Sequence, residues 1–265
     1  MVAERVTLAD GVLAEAVRRL VEALDPERIY LFGSRGRGDA TVDSDYDLYV
    51  LVRNVDMPLR DQERAAYRAL SDLKVAKDIL IQTSVAFERN LSVVGSLPAA
   101  VEREGRLLYG ERPARRVWDQ TEVEGQKANL TRSWLVRAKQ DLRTAARVAE
   151  VPAIQETVLY HCQQAYEKAL KGFLVWHDWP LRKTHLLPEL IEECETIDPE
   201  FAQLARSAAV VSPYAWKFRY PITDAHGVLI EIEPSDEDAA EALRFAREAF
   251  DFVVRRLPPE ARPSG

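Results

Sequence analysis

Phe32–Leu51 reads FGSRGRGDATVDSDYDLYVL. The run Ile29-Tyr30-Leu31-Phe32 enters this stretch and Leu48-Tyr49-Val50-Leu51-Val52 leaves it. Both runs have the β-branched and aromatic content of buried strands. The segment between them is dominated by Gly, Ser and Asp, so the stretch reads as strand, polar loop, strand. Side chains alternate along a strand, which sends Asp45 and Asp47 to one face and Tyr46 and Leu48 to the other, into the core.

Two carboxylates a few ångströms apart repel each other in a partly buried site. A hard divalent cation between them relieves the repulsion, and Mg²⁺ takes carboxylate and phosphate oxygens. At the other end of the loop, Gly33-Ser34 offers backbone N–H groups and a hydroxyl to a phosphate, because glycine lets the main chain approach closely. A phosphate cradle and a carboxylate pair on one hairpin point to metal-assisted phosphoryl or nucleotidyl transfer. The plain alternative for a lone Asp-x-Asp is a surface turn with solvated carboxylates. Here Gly-Ser-Arg, Gly36, Gly38 and Ser44 all precede the pair between two strands.

Gly33-Ser34-Arg35-Gly36-Arg37-Gly38 followed by Ser44-Asp45-Tyr46-Asp47-Leu48 resembles the signature of the polymerase-β-like nucleotidyltransferase superfamily, the minimal nucleotidyltransferases in particular. The resemblance extends over roughly the first 110 residues. It implies binding of an NTP with Mg²⁺ and transfer of a nucleoside monophosphate with release of pyrophosphate. Val75–Thr83, VAKDILIQT, reads as a further strand with Val75, Ile79 and Ile81 on one face and Asp78 on the other. A charge inside a short apolar strand is costly without a partner, unless the strand lies at an edge and the charge meets water. The resemblance places a third acidic residue here. It implies two Mg²⁺ ions held by Asp45, Asp47 and Asp78, and a nucleotide-binding set of Gly33, Ser34, Arg35, Arg37 and Ser44. Arg35 and Arg37 either add charge near the phosphates or stand as solvated loop arginines, and the residues leave both open.

The chain has 265 residues, enough for one large domain or two ordinary ones. Its net charge of −7 argues against a broad basic nucleic-acid surface, though not against a local patch. Cys162 and Cys194 stand far apart without a metal-like spacing and read as core residues in a reducing compartment. No apolar run reaches membrane-spanning length and the N-terminus lacks a signal-peptide pattern, so a cytoplasmic location is expected.

Residues 7–24 carry apolar side chains at helical spacing, ended by Asp25-Pro26. Further helices are expected over Arg60–Leu73, Ser84–Val94 and Pro98–Glu104, with a closing strand in Gly105–Gly110. The predicted organisation is an α+β nucleotidyltransferase domain at 1–112, with a mixed sheet flanked by helices, then a linker at 113–130 that admits a helical part. An all-α helical bundle follows at 131–258, and a tail at 259–265. Ser235 with Asp238 three residues on resembles a capping box opening a long last helix.

Trp134 with Ala138 and Asp141-Leu142, then His161–Lys171, Thr184-His185-Leu186 and Arg219-Tyr220-Pro221, resemble a HEPN domain in order and spacing. That family is an up-and-down bundle, often a dimer, so a homodimer is expected. Many HEPN domains are metal-independent ribonucleases using an Arg and a His four to six residues apart, and Arg219 and His226 approach that pattern. Pro221 and Gly227 make the intervening segment a poor helix. Val228 stands where toxin-type members carry a tyrosine, so RNA is a partner the resemblance admits but does not favour. Gln163, Gln164, Glu167, Lys168 and Lys171 form a polar strip on an otherwise apolar helix, the last four sharing neighbouring faces three and four apart. It reads as a solvated or dimer-facing side, with a cleft facing the nucleotide as the other reading.

A nucleotidyltransferase domain followed by a helical bundle is also similar to kanamycin-type aminoglycoside nucleotidyltransferases. That likeness implies an acceptor bound with help from the helical half and a carboxylate base, for which Glu156 and Glu167 are candidates. Three readings follow. The favoured one is an Mg²⁺-dependent enzyme transferring NMP from NTP to a hydroxyl of an unidentified small-molecule or protein acceptor. The others are a regulatory nucleotide-binding module of toxin–antitoxin type and a ribonuclease.

Overall fold

The computed structural model describes residues 10–41, 44–53, 57–113, 118–151, 154–182, 184–218, 222–223, 229–230 and 233–263. The chain divides into two compact units, Met1–Val123 and Glu124–Gly265.

In the first unit, helix α1 (Gly11–Leu24) starts where the Asp10 carboxylate accepts the N–H groups of Val12 and Leu13. It buries Leu13, Ala16, Val17 and Leu20, the i, i+3, i+4, i+7 stripe of an amphipathic helix, and stops at Asp25 in the left-handed conformation. The hairpin follows as β1 (Arg28–Phe32), the single-turn helix α2 (Gly33–Arg37) and β2 (Tyr46–Val52). Then come α3 (Leu59–Ala69), β3 (Lys77–Thr83), α4 (Ser84–Asn90), α5 (Leu97–Glu104) and β4 (Arg106–Tyr109).

The sheet order is β3-β2-β1-β4. Strand β1 runs antiparallel to both β2 and β4, while β3 lies parallel to β2, so the sheet is mixed as expected. One face packs Leu48, Val50, Val52, Ile79 and Ile81 against Leu13, Leu20, Ala66 and Leu70 of the helical layer. The opposite face packs Tyr30, Tyr49 and Leu51 against Phe87 and Val101. Each fully buried large apolar side chain contributes about 1.5–3 kcal/mol, so both faces of the hairpin are anchored. That anchoring fixes the parity of Asp47, the second residue of β2.

The second unit is helical, with α6 (Gln120–Val148), which begins in the last residues of the first unit, α7 (Gln155–Trp176), α8 (Leu187–Glu195), α9 (Ala205–Val211) and α10 (Asp236–Arg256). A two-residue ladder pairs β5 (Ile222–Thr223) with β6 (Leu229–Ile230), which periodicity did not suggest. The core joins Leu135, Ala138 and Leu142 of α6, Leu159, Tyr166 and Phe173 of α7, and Ala246, Ala249 and Val253 of α10. Small residues on α10 let it lie close to α7. The stretch 113–130, read as a linker, is helical from Gln120. The cause is a reciprocal cap: the Glu122 N–H donates to Asp119 Oδ1 at 2.8 Å and the Asp119 N–H donates to Glu122 Oε2 at 3.3 Å. Ser235 and Asp238 form the expected capping box on α10.

Candidate active site

The Gly-Ser bend and the Asp47 carboxylate meet directly. Gly33 has φ +67°, and a Cβ built on it would lie 1.9 Å from Asp47 Oδ2. Only glycine therefore fits, both for its backbone conformation and for the close approach of the carboxylate. Asp47 is buried, with 5% of its surface exposed, on the face of β2 that also carries Tyr49 and Leu51. Asp45 precedes the strand and is exposed. Asp78 is the register partner of Asp47 across the parallel β2–β3 pair and is exposed. In a parallel pair, register partners project to the same face, so Asp78 shares the face of Asp47. Ile79 and Ile81 point to the other face, as the alternation in β3 predicts. Among the described residues, no three His, Cys, Asp or Glu side chains are grouped closely enough to hold a metal ion. The backbone thus brings Asp47 and Asp78 side by side, while the side chains as they stand are not gathered on one point. As a donor set, carboxylate oxygens suit a hard cation such as Mg²⁺.

The loop residues have partners of their own. The Arg35 guanidinium carbon stands 4.1 Å from the centroid of the Tyr46 ring, and Arg35 Nε donates to the Ser44 carbonyl at 2.8 Å. Arg37 pairs with Asp39 at 3.2 Å on the surface. Ser44 Oγ accepts the Thr41 N–H at 2.9 Å. Ser34 is half-buried. The Tyr46 hydroxyl donates to Asp10 Oδ2 at 2.6 Å. That hydrogen bond, with the Leu13 and Val12 N–H groups and the nearby Arg35 charge, holds the Asp10 carboxyl below its ordinary value against the opposing effect of burial. Asp10 was not legible in the sequence, because the whole of α1, β1 and α2 lies between it and Tyr46. Its Asp-then-apolar pattern before a helix was the available signal.

The polar strip of α7 divides in two. Gln163, Glu167 and Lys171 are buried rather than solvated. Lys171 Nζ donates to Glu167 Oε1 at 2.7 Å and to the Thr184 carbonyl at 2.9 Å. Gln163 Nε2 donates to Glu167 Oε2 at 3.0 Å and to the His185 carbonyl at 3.2 Å, and His185 Nδ1 lies 3.1 Å from Glu167 Oε1. This network staples the segment before α8 to α7. Burial works to raise the Glu167 carboxyl, but Lys171, Gln163 and His185 outweigh it and bring it below its ordinary value. Lys168 instead pairs with Asp141 at 2.5 Å, and His161 Nδ1 lies 2.9 Å from the same carboxylate. Gln164 donates to Gln163 at 2.8 Å. The side-chain contacts of Lys168 and Gln164 are thus within the helical unit. Arg219 and His226 lie outside the described residues. A cavity of about 510 Å³ between the 203–207 segment and α10 contains none of the predicted site residues, and its arginines (Arg206, Arg244, Arg255) alternate with Glu241, Glu248 and Asp251.

A glycine-serine bend followed by an Asp-x-Asp strand start, on a mixed sheet, followed in turn by a helical bundle, defines a two-domain class of protein. Residues 15–113 match the family "Polymerase beta, Nucleotidyltransferase", and residues 131–257 match the HEPN domain. The chain carries a polymerase-beta-type nucleotidyltransferase domain followed by a HEPN domain. It is similar to the crystal structure of TT1696 from Thermus thermophilus, at 27% identity, covering 49% of this chain and 99% of that one with a TM-score of 0.39. It is also similar to ST0689, an archaeal HEPN homologue, at 25% identity, covering 48% of this chain and 96% of that one with a TM-score of 0.38. No curated protein matches the chain. No helix among the described residues is long and apolar enough to cross a membrane.

Proposed function

We propose that the chain is an Mg²⁺-dependent nucleotidyltransferase that moves NMP from an NTP to a hydroxyl, on an aminoglycoside-like small molecule or on a protein. The observation that carries this reading is the packing of the Asp47 carboxylate against Gly33, with Asp78 in register beside it. In the reaction the acceptor hydroxyl gives up its proton to a base, its oxygen bonds to the α-phosphorus, the bond from that phosphorus to the bridging oxygen breaks, and pyrophosphate leaves. Gly33 and Ser34 hold the terminal phosphates through backbone N–H groups and the Ser34 hydroxyl. Asp45, Asp47 and Asp78 would hold the ions. When bound, Mg²⁺ neutralises charge on the departing pyrophosphate and lowers the pKa of the attacking hydroxyl. The negative balance of the chain suits a cationic acceptor.

The test is incubation with α-labelled ATP, Mg²⁺ and a panel of aminoglycosides and proteins, with and without Asp45→Ala/Asp47→Ala. Label transfer that disappears in the double variant supports the proposal. Label transfer that persists in it removes the proposal, and nucleotide binding without transfer to any acceptor favours a regulatory module instead.

A further inference from the structure

Three side chains from three different elements meet at the start of β2. Asp10 uses Oδ1 to cap α1, accepting from Val12 and Leu13 at 3.0 and 3.2 Å, and Oδ2 to take the Tyr46 hydroxyl at 2.6 Å. The Tyr46 ring carries the Arg35 guanidinium on its face at 4.1 Å, and Arg35 Nε reaches the carbonyl of Ser44, two residues before that ring. Helix α1, helix α2 and the first residue of β2 are thereby joined.

Tyr46 is the residue between Asp45 and Asp47. Tyr46 opens β2, so holding its ring on one face sets Asp47, the next strand residue, on the other, and fixes the backbone that carries Asp45. A stacked arginine presents a planar, preorganised group, which a lysine cannot reproduce. Such a group suits holding a ring and a carbonyl in fixed relation.

We infer that Asp10, Tyr46 and Arg35 form a clasp that positions the Asp45/Asp47 carboxylates, and that Arg35 serves the clasp instead of binding phosphate. The inference rests on the proposed nucleotidyltransferase reading. These three are positioning residues, since none of them is placed on the ions or the reacting phosphate.

The test uses the full chain, with Mn²⁺ as the metal probe followed by electron paramagnetic resonance, and ATP and AMP as nucleotide probes. Variants are Asp10→Asn, Tyr46→Phe, Arg35→Met and Arg35→Lys, each checked for folding by circular dichroism. The clasp predicts that Tyr46→Phe, which keeps the ring, raises the Mn²⁺ concentration for half-saturation by about 10- to 100-fold, the usual effect of losing an outer-shell partner. Asp10→Asn and Arg35→Met should do the same, the preference for ATP over AMP should be retained, and Arg35→Lys should not rescue. If Arg35→Met instead erases the ATP preference at unchanged metal requirement, and Arg35→Lys restores it, Arg35 is a phosphate ligand and the clasp is overturned. Unchanged metal requirement in Tyr46→Phe and Asp10→Asn also overturns it. A wild-type chain that binds neither Mn²⁺ nor ATP sinks the nucleotidyltransferase reading itself, and the clasp with it.

Discussion

The Asp47 carboxylate occupies the space that a side chain on Gly33 would need: an ideal Cβ there would stand 1.9 Å from Oδ2. Gly33 follows β1 and opens α2, Asp47 lies in β2, and Phe32, the neighbour of Gly33, is the register partner of Asp47. The antiparallel pairing thus brings the predicted phosphate cradle onto the predicted metal ligand. Gly33→Ala meets two penalties, a left-handed backbone at φ +67° and displacement of a buried carboxylate. The backbone term alone costs about 1–3 kcal/mol. Urea denaturation should show at least that loss, and titration with Mg²⁺–ATP should show binding abolished. A variant with wild-type stability and affinity would contradict the contact.

Asp47 and Asp78 are register partners with different surroundings, one buried and one exposed. Their isosteric amides should therefore separate function from folding. Asp78→Asn should change stability by no more than about 0.5 kcal/mol, as for an exposed site. Nucleotidyl transfer in either Asp78→Asn or Asp47→Asn should fall about 100-fold or more, because a ligand to an ion that stabilises several kcal/mol of transition-state charge is lost. Thermal melts together with label transfer measure both quantities. Full activity in Asp78→Asn would return Asp78 to the role of an edge-strand charge.

The hairpin was legible because its information is local: glycine, serine and an Asp-x-Asp at period two between apolar runs. The parity of Ile79, Ile81 and Asp78 was legible for the same reason. The pairing of β3 with β2 in register was not readable, since the two strands are connected through α3 and their alignment is decided by packing. The Asp10–Tyr46 bond was hidden for a similar reason. In α7, the spacing of Gln163, Glu167 and Lys171 announced a shared strip but not its burial. Their remaining partners, the Thr184 and His185 carbonyls, come from a separate segment. The start of α6 was not located, although the linker was allowed a helical part and Asp119-x-x-Glu122 is a capping signature, because Gly125 and the lack of apolar periodicity obscured it.

The start of α10 offers a local test of the helical unit. The Asp238 N–H donates to Ser235 Oγ at 3.1 Å and the Ser235 N–H donates to Asp238 Oδ2 at 2.9 Å. Ser235→Ala leaves the Asp238 N–H without its side-chain acceptor and should cost about 0.5–2 kcal/mol. Ser235→Asn, also a good cap, should recover most of it. Denaturation midpoints of the two variants decide this, and equal losses would mean that the cap contributes nothing specific.

The Glu167–Lys171 pair is enclosed, with side chains 6% and 9% exposed, and each member has a second partner in the segment before α8. Lys171→Met leaves a buried carboxylate without its cation and should destabilise the chain by about 3–5 kcal/mol. Adding Glu167→Leu removes the stranded charge and should recover part of that loss, since a buried ion pair and an apolar pair of similar volume differ little. The pH dependence has a definite sign. The Glu167 carboxyl is lowered in the folded chain from an ordinary value of 4.5, even though burial acts the other way, because Lys171 and Gln163 favour its charged form. Its contribution is therefore complete above pH 4.5 and is lost as the pH falls through the lowered folded value. Stability of the wild-type chain between neutral and acid pH should drop more steeply than that of Glu167→Gln, whose side chain does not titrate. Parallel curves for the two proteins would mean that the carboxylate at position 167 contributes nothing to acid sensitivity.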